Sequence, residues 1–214
     1  MLVLIWIIIA VVKMPKASDV GASLDFLPTF KRLLKNRRYT SGVIAQFFYV
    51  GAQIGVWSFT IRYVMQELNI NEANSSSYYM AALILFSLSR FIFTGLMKFF
   101  KPGNLLTISA LLALVSTLFV IFGGGYVGVI ALIAISGFMS LMFPTIFGLS
   151  VRGLGGDTKI GGSGLIMAIL GGAVFTALQG QVSDITGSIH YSYFVPMACF
   201  IVIAWFGIFI SRKT

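Results

Sequence analysis

In the stretch QFFYVGAQIGVWSFTIRY, residues 46 to 63, two glutamines seven positions apart sit among aromatic residues and glycines in an otherwise apolar run. At 3.6 residues per turn, Gln46, Tyr49, Val50, Gln53 and Trp57 fall on one stripe of a helix. Amides offer both donors and acceptors to hydroxyl groups, and aromatic rings cover an apolar C–H face. The stripe therefore has the chemistry of a contact to a polyhydroxylated ligand such as a sugar. A structural reading stands beside it: each amide bonds to a neighbouring helix, because hydrocarbon penalises an unpaired one. Trp57 likewise has a second reading, as an anchor at the membrane interface. Gly51 and Gly55 fall on another face, where a neighbouring helix can approach closely.

Further positions carry candidate roles. Arg90, in LILFSLSRFIFTG, is the only charge well inside an apolar block, and burying a charge there is costly enough to mark function. It reads as a gating residue, a ligand contact or a structural anchor, with helix-end carbonyls, Asp157 or a group outside this chain as partners. Pro144 cannot donate to the carbonyl of Ser140, so its helix should kink or open locally. Phe143, Thr145 and Phe147 flank that kink as candidate ligand contacts, or the kink serves packing alone. Gly171 and Gly172 lie in a glycine-rich block that lets helices approach and slide. Gln179 is a candidate site residue, or faces water with Gln181. His190 and Cys199 are single residues of their type, so no intramolecular disulfide and no Cys/His metal cluster can form, and His190 is expected in a solvated loop. GLGGDTKIGGS lacks the spacing of a phosphate loop. With no acid, His or Cys placed inside an apolar block as a partner for chemistry, no catalytic residue is assigned.

The elements that must position these residues are membrane helices. Hydrophobic residues make up 58% and charged residues 10% of the 214, against about 25% charged in a soluble domain. Six apolar blocks have the length of a spanning helix: about 41–65, 78–98, 104–122, 127–150, 161–183 and 191–210. The opening MLVLIWIIIAVV is shorter, and Lys13 and Lys16 follow it rather than precede it, unlike a signal peptide. Residues 1–12 read as the tail of a helix begun upstream, ahead of a signal sequence or a short complete anchor.

Lys and Arg concentrate in alternate loops. Residues 13–40, the stretch after Lys98, the Arg152–Lys159 region and the tail 211–214 share one side. ELNINEANSSS, GGGY and SDITGSIHYS on the other carry neither residue. The excess marks the first side, with the C-terminus, as cytoplasmic. Positive charge in short loops explains the net charge of +9 by topology, without nucleic acid. In SLDFLPTFKRLLKNRRY, Leu27, Phe30, Leu33 and Leu34 fall on one helical face beside basic residues, with Asp25 as a cap. This is a surface helix on anionic lipid or a plain connector. All six acids lie outside the apolar blocks: Asp19, Asp25, Glu67, Glu72, Asp157 and Asp184. The chain therefore lacks a buried carboxylate of the kind proton symport uses.

A helix tail, a basic linker and six spans is the layout of the second half of a twelve-helix transporter. QFFYVGAQIGVWSFTIRY, FMSLMFPTIFGLSVRGLGGDTKIGGSG and LGGAVFTALQGQVSD resemble the C-terminal half of bacterial L-fucose permeases, the fucose:proton symporter family of the major facilitator superfamily. The resemblance implies an all-α fold of two six-helix bundles with a sugar site between them at mid-membrane. It also implies rocker-switch alternating access in a bacterial inner membrane. The driving force would be the proton gradient, with no cofactor, and the coupling acids would belong to an N-terminal bundle missing from this chain. Related glucose/galactose permeases share much of the pattern, so another hexose is the alternative substrate. A non-transporting six-helix membrane component is a third reading.

Overall fold

The computed structural model describes residues 26–212. The run 1–12, the linker up to Asp25 and residues 213–214 lie outside the described residues. Among the described residues the chain is helical, without strands. A short helix α1 (Phe26–Lys35) precedes α2 (Arg37–Leu68), α3 (Glu72–Leu96) and α4 (Pro102–Phe122). Then come α5 (Gly125–Met139) with α6 (Met142–Val151), a 3₁₀ turn (Gly155–Asp157) with α7 (Thr158–Met167) and α8 (Leu170–Thr186), and α9 (Ile189–Ser192) with α10 (Phe194–Ser211). Together these give 6 helices or helix series long and apolar enough to cross a membrane.

Local chemistry sets the ends. The side chain of Asn36 accepts from the amides of Arg38 and Tyr39 and so starts α2. Asn69, left-handed at φ 52°, stops it. At 1.5 Å per residue α2 runs about 48 Å, well beyond the roughly 30 Å of hydrocarbon. α3 starts at Glu72, earlier than its apolar block, because Asn71 Oδ1 accepts from the Asn74 amide at 2.9 Å. The Ser75 and Ser76 hydroxyls then donate back to the carbonyls of Asn71 and Glu72. Pro102 opens α4, where its missing N–H is no loss.

Two spans are interrupted. Between α5 and α6 the Ser140 amide donates to Gly137 at 3.2 Å, an i−3 bond, and the helix resumes at Met142. Pro144 accounts for this: it offers no N–H to the Ser140 carbonyl, and its ring crowds that oxygen. Between α7 and α8 the amides of Ile169, Gly171 and Gly172 donate to Ile166, Ala168 and Ile169 at 3.0, 3.0 and 2.9 Å, again i−3 bonds.

α2 is the hub, packing against α8, α10, α6, α3 and α5. Tyr49, Val56 and Tyr63 from α2 meet Ala113 of α4, Ile135 of α5 and Phe206 of α10 in the core. α3 is peripheral and leaves Ile84, Leu88, Phe91 and Ile92 exposed. At the basic end, α1 buries Leu33 beside Tyr39 and Leu165. It is fixed there by Arg32, which donates to both carboxylate oxygens of Asp157 at 3.1 and 2.7 Å. Leu27, Phe30 and Leu34 point outward.

At the α2–α8 contact the helices approach backbone to backbone. A Cβ on Gly171 would run into the backbone carbonyl of Phe47, so the two backbones touch. Gly51 and Gly55 of α2 receive the side chains of Phe175 and Gln179 of α8. Gly171→Ala should therefore destabilise the bundle by about 1–3 kcal/mol, the usual range for overpacking. Gly180→Ala, whose Cβ would meet only the Phe59 ring at 3.9 Å, should be silent. Thermal midpoints of the two purified variants in detergent check this; equal midpoints would remove the close approach as a constraint.

Candidate functional site

The stripe of α2 splits into buried and accessible halves. Gln46 and Tyr49 are 0% exposed and Val50 is 4% exposed, whereas Gln53 and Trp57 are half-buried. The difference comes from neighbours that periodicity does not reveal. Tyr49 turns inward and donates its hydroxyl to the Met139 carbonyl at 3.0 Å, at the end of α5 where the helix breaks. Its ring meets Phe143 edge-on, with centroids 6.1 Å apart. Trp57 donates its indole N–H to Ser136 Oγ of α5 at 3.2 Å and packs edge-on against Phe86 of α3 at 5.1 Å.

Gln53, Trp57 and Phe143 therefore provide partly accessible groups: one amide and two rings. Arg90 is exposed, with its guanidinium carbon 5.9 Å from the Phe86 centroid. Phe86 thus links Arg90 to Trp57, a cation–π contact followed by an edge-to-face pair. Asp157, an expected partner for Arg90, is held by Arg32 instead.

Several buried polar atoms have no hydrogen-bond partner among the described residues. Both amide atoms of Gln46 and of Gln179 are in this state, as are the hydroxyls of Thr145 and Ser140. Gln179 is 0% exposed and reaches from α8 towards Gly55 of α2, while Gln181 is exposed. Gln179 therefore does not face water in this bundle. Thr145 and Ser140 flank the α5–α6 break. Nearby, Pro144 and Thr145 line a cleft of about 300 Å³ with Gly148 and Leu149, bounded by Met97, Pro102 and Arg152. The cleft lies at the basic end, between α6 and the α3–α4 connection. Gly171 and Gly172 sit at the α7–α8 break, against Phe47, Val50 and Ile54 of α2.

Three features escaped the sequence. His190 is paired with Glu67 rather than solvated, Nε2 to Oε1 at 2.7 Å. Arg62, near the end of α2, is exposed with its guanidinium over the Phe59 ring at 5.6 Å. Arg38 donates its Nε to the Leu149 carbonyl at 2.9 Å, tying the start of α2 to α6. The first and third join positions 123 and 111 residues apart, a separation that leaves no local signal. No group of three His, Cys, Asp or Glu able to hold a metal occurs among the described residues.

No family model matches the chain. An L-fucose-proton symporter of Haemophilus influenzae is 41% identical over 212 residues, 96% of this chain and 49% of that protein. The L-fucose-proton symporter of Escherichia coli is 40% identical over 189 residues, 88% and 43% of the two chains. A glucose/galactose transporter of Brucella abortus is 31% identical over 182 residues, 83% and 43%. A crystal structure of the E. coli fucose:proton symporter superposes with TM-score 0.88 and 36% identity, over 97% of this chain and 52% of that one. A major facilitator superfamily transporter in the outward conformation gives TM-score 0.90 and 37% identity, over 97% and 51%. The chain spans about half the length of the curated relatives it matches. Its fold is that of one half of a major facilitator superfamily transporter. Within that superfamily the chain is similar, over most of its own length, to L-fucose-proton symporters.

The unpartnered amides allow a test of the site. Replacing a buried orphan amide by an apolar side chain of similar shape removes a desolvation penalty of about 1–3 kcal/mol. Gln46→Met should therefore raise the thermal midpoint of the chain in detergent. A lowered midpoint would mean that Gln46 is held by partners and acts as structural glue.

Proposed function

We propose that this chain is the C-terminal six-helix half of a secondary active sugar transporter, an L-fucose:proton symporter working by rocker-switch alternating access. The observation that carries the reading is the 41% and 40% identity to two L-fucose-proton symporters over most of the chain. The identity to glucose/galactose transporters is 30–31%. The chemistry of the accessible groups supports it. Gln53 supplies donors and acceptors to hydroxyls, while Trp57 and Phe143 cover the apolar face of a pyranose. These groups belong to the half-open side of a bundle whose partner is an N-terminal six-helix bundle, and the sugar lies between the two.

The described acids lie at the ends of the spans. Glu67 pairs with His190 and Asp157 with Arg32, while Glu72 and Asp184 are exposed. The carboxylate that couples the proton gradient therefore belongs to the partner bundle. The protein sits in a bacterial inner membrane with its C-terminus in the cytoplasm, and α1 lies along the cytoplasmic leaflet. It is a transporter rather than an enzyme and uses no cofactor beyond the proton gradient.

The test is to join the chain to the N-terminal half of an L-fucose-proton symporter in cells lacking fucose uptake and measure labelled sugar entry. L-fucose should enter faster than glucose or galactose; the reverse order would assign another hexose, and no binding of any sugar would leave a non-transporting component. In the same assembly Gln53→Ala should lower fucose uptake at least about tenfold, the loss of one charge-neutral hydrogen bond plus its unpaired ligand hydroxyl. Membrane insertion should be unchanged. Arg90→Ala should reduce transport more than equilibrium sugar binding; equal loss of both would make Arg90 a contact or a folding residue.

A further inference from the structure

At the end of the bundle opposite the basic loops, three separate connections converge on one imidazole. His190 of α9 lies between the last turn of α2 and the α4–α5 turn. Its Nδ1 is 3.1 Å from the Val120 carbonyl oxygen, and its Nε2 is 2.7 Å from Glu67 Oε1. The second oxygen of Glu67 accepts the Gly125 amide at 2.5 Å. The Tyr63 hydroxyl donates to the same Val120 carbonyl at 2.8 Å, and its ring meets the imidazole edge-on with centroids 5.3 Å apart. The pair is sheltered, with 22% of the His190 side chain and 10% of the Glu67 side chain exposed. Gly124 and Gly125, at φ 58° and 52°, make the tight turn that presents the Gly125 amide.

Both ring nitrogens thus face acceptors, a backbone carbonyl and a carboxylate. A neutral imidazole carries one N–H, so one of those contacts would set a lone pair against an oxygen. An imidazolium satisfies both. We propose that Glu67 and His190 form a proton-binding latch that fastens α9 to the end of α2 and to the last turn of α4. The proton comes from solvent through a crevice of about 390 Å³ lined by Gly123, Gly124, Ser188 and Tyr191 beside the pair. It adds to an imidazole nitrogen, and no other bond forms or breaks. When it leaves, one of the two contacts opens and α9 is released from one neighbour.

Other ionisable groups near the latch do not replace either partner. Tyr63 of α2 is engaged with Val120, and Tyr193, just before α10, meets Tyr63 edge-on with centroids 5.4 Å apart. Tyr191 is exposed, and Asp184 of α8 is exposed and forms no ion pair with His190. Arg62 lies on the exposed side of α2 over Phe59.

His190 is the chain's 1 histidine, so its ring resonances need no assignment. Nitrogen NMR of the full chain in nanodiscs at about pH 7 should show both ring nitrogens protonated, each donating to its oxygen. Glu67→Gln, which keeps an acceptor for the Gly125 amide, should bring back the neutral tautomer at the same pH. A neutral imidazole in the unmodified chain would overturn the proposal. The opening is read separately with Ser188→Cys and a polar maleimide, normalised to an exposed Ile185→Cys control. Labelling should be several-fold faster at alkaline than at mildly acidic pH, and the dependence should vanish in His190→Gln. Labelling that ignores pH in the unmodified background would refute the release. Because neither readout involves sugar, these results stand or fall apart from the transport assignment.

Discussion

A bilayer core offers no hydrogen-bond partner, and that single constraint sorts the polar side chains of this bundle. Most are committed. Thr60, Thr117 and Ser150 return their hydroxyls to carbonyls one turn back in their own helices. Tyr39, Tyr49 and Tyr63 each reach a backbone carbonyl on another helix, and so stitch α2 to its neighbours at three levels. What remains is a short set of polar atoms that the described residues do not satisfy, with Gln46, Gln179, Thr145 and Ser140 among them. In a protein that only needed to stay folded, apolar residues would serve better at those places.

The same constraint explains where the helices break. An interrupted span exposes backbone groups, which are tolerated at membrane depth only where protein covers them or a wet cavity reaches them. The α5–α6 break is covered by α2, through the Tyr49 hydroxyl on Met139. The α7–α8 break is pressed against the Phe47 backbone at Gly171. Both breaks therefore lean on α2, and a shift of α2 is felt in both interrupted spans. This arrangement suits the proposed role, in which the bundle rocks as a body while the groups on the open side of α2 stay in register.

Much of this was legible in the sequence. Apolar block length revealed the spans, and Pro144 marked a defect that became a full interruption. Gly51 and Gly55 announced a close neighbour, which is α8. The stripe of α2 was readable only in part: 3.6-residue spacing puts Gln46, Tyr49, Gln53 and Trp57 on one side, but the packing of α5 and α6 decides which half of that side stays open. The start of α3 at Glu72 was within reach, since Asn71 is a strong cap, yet the apolar block begins later and masked it. Pairs such as Glu67–His190 and Arg32–Asp157 were out of reach because their members meet only through the fold, 123 and 125 residues apart.

The central claim is that the open side of α2 faces a sugar chamber once the partner bundle is in place. Ser58, exposed on α2 one residue past Trp57, is a gentle position for a reporter, because Ser58→Cys changes one atom and Cys199, the other thiol, is fully buried. In the chain joined to an N-terminal bundle, L-fucose should slow maleimide labelling at this position several-fold, and a non-transported sugar should not. Labelling at the same rate with and without L-fucose, in an assembly that still takes it up, would contradict the account.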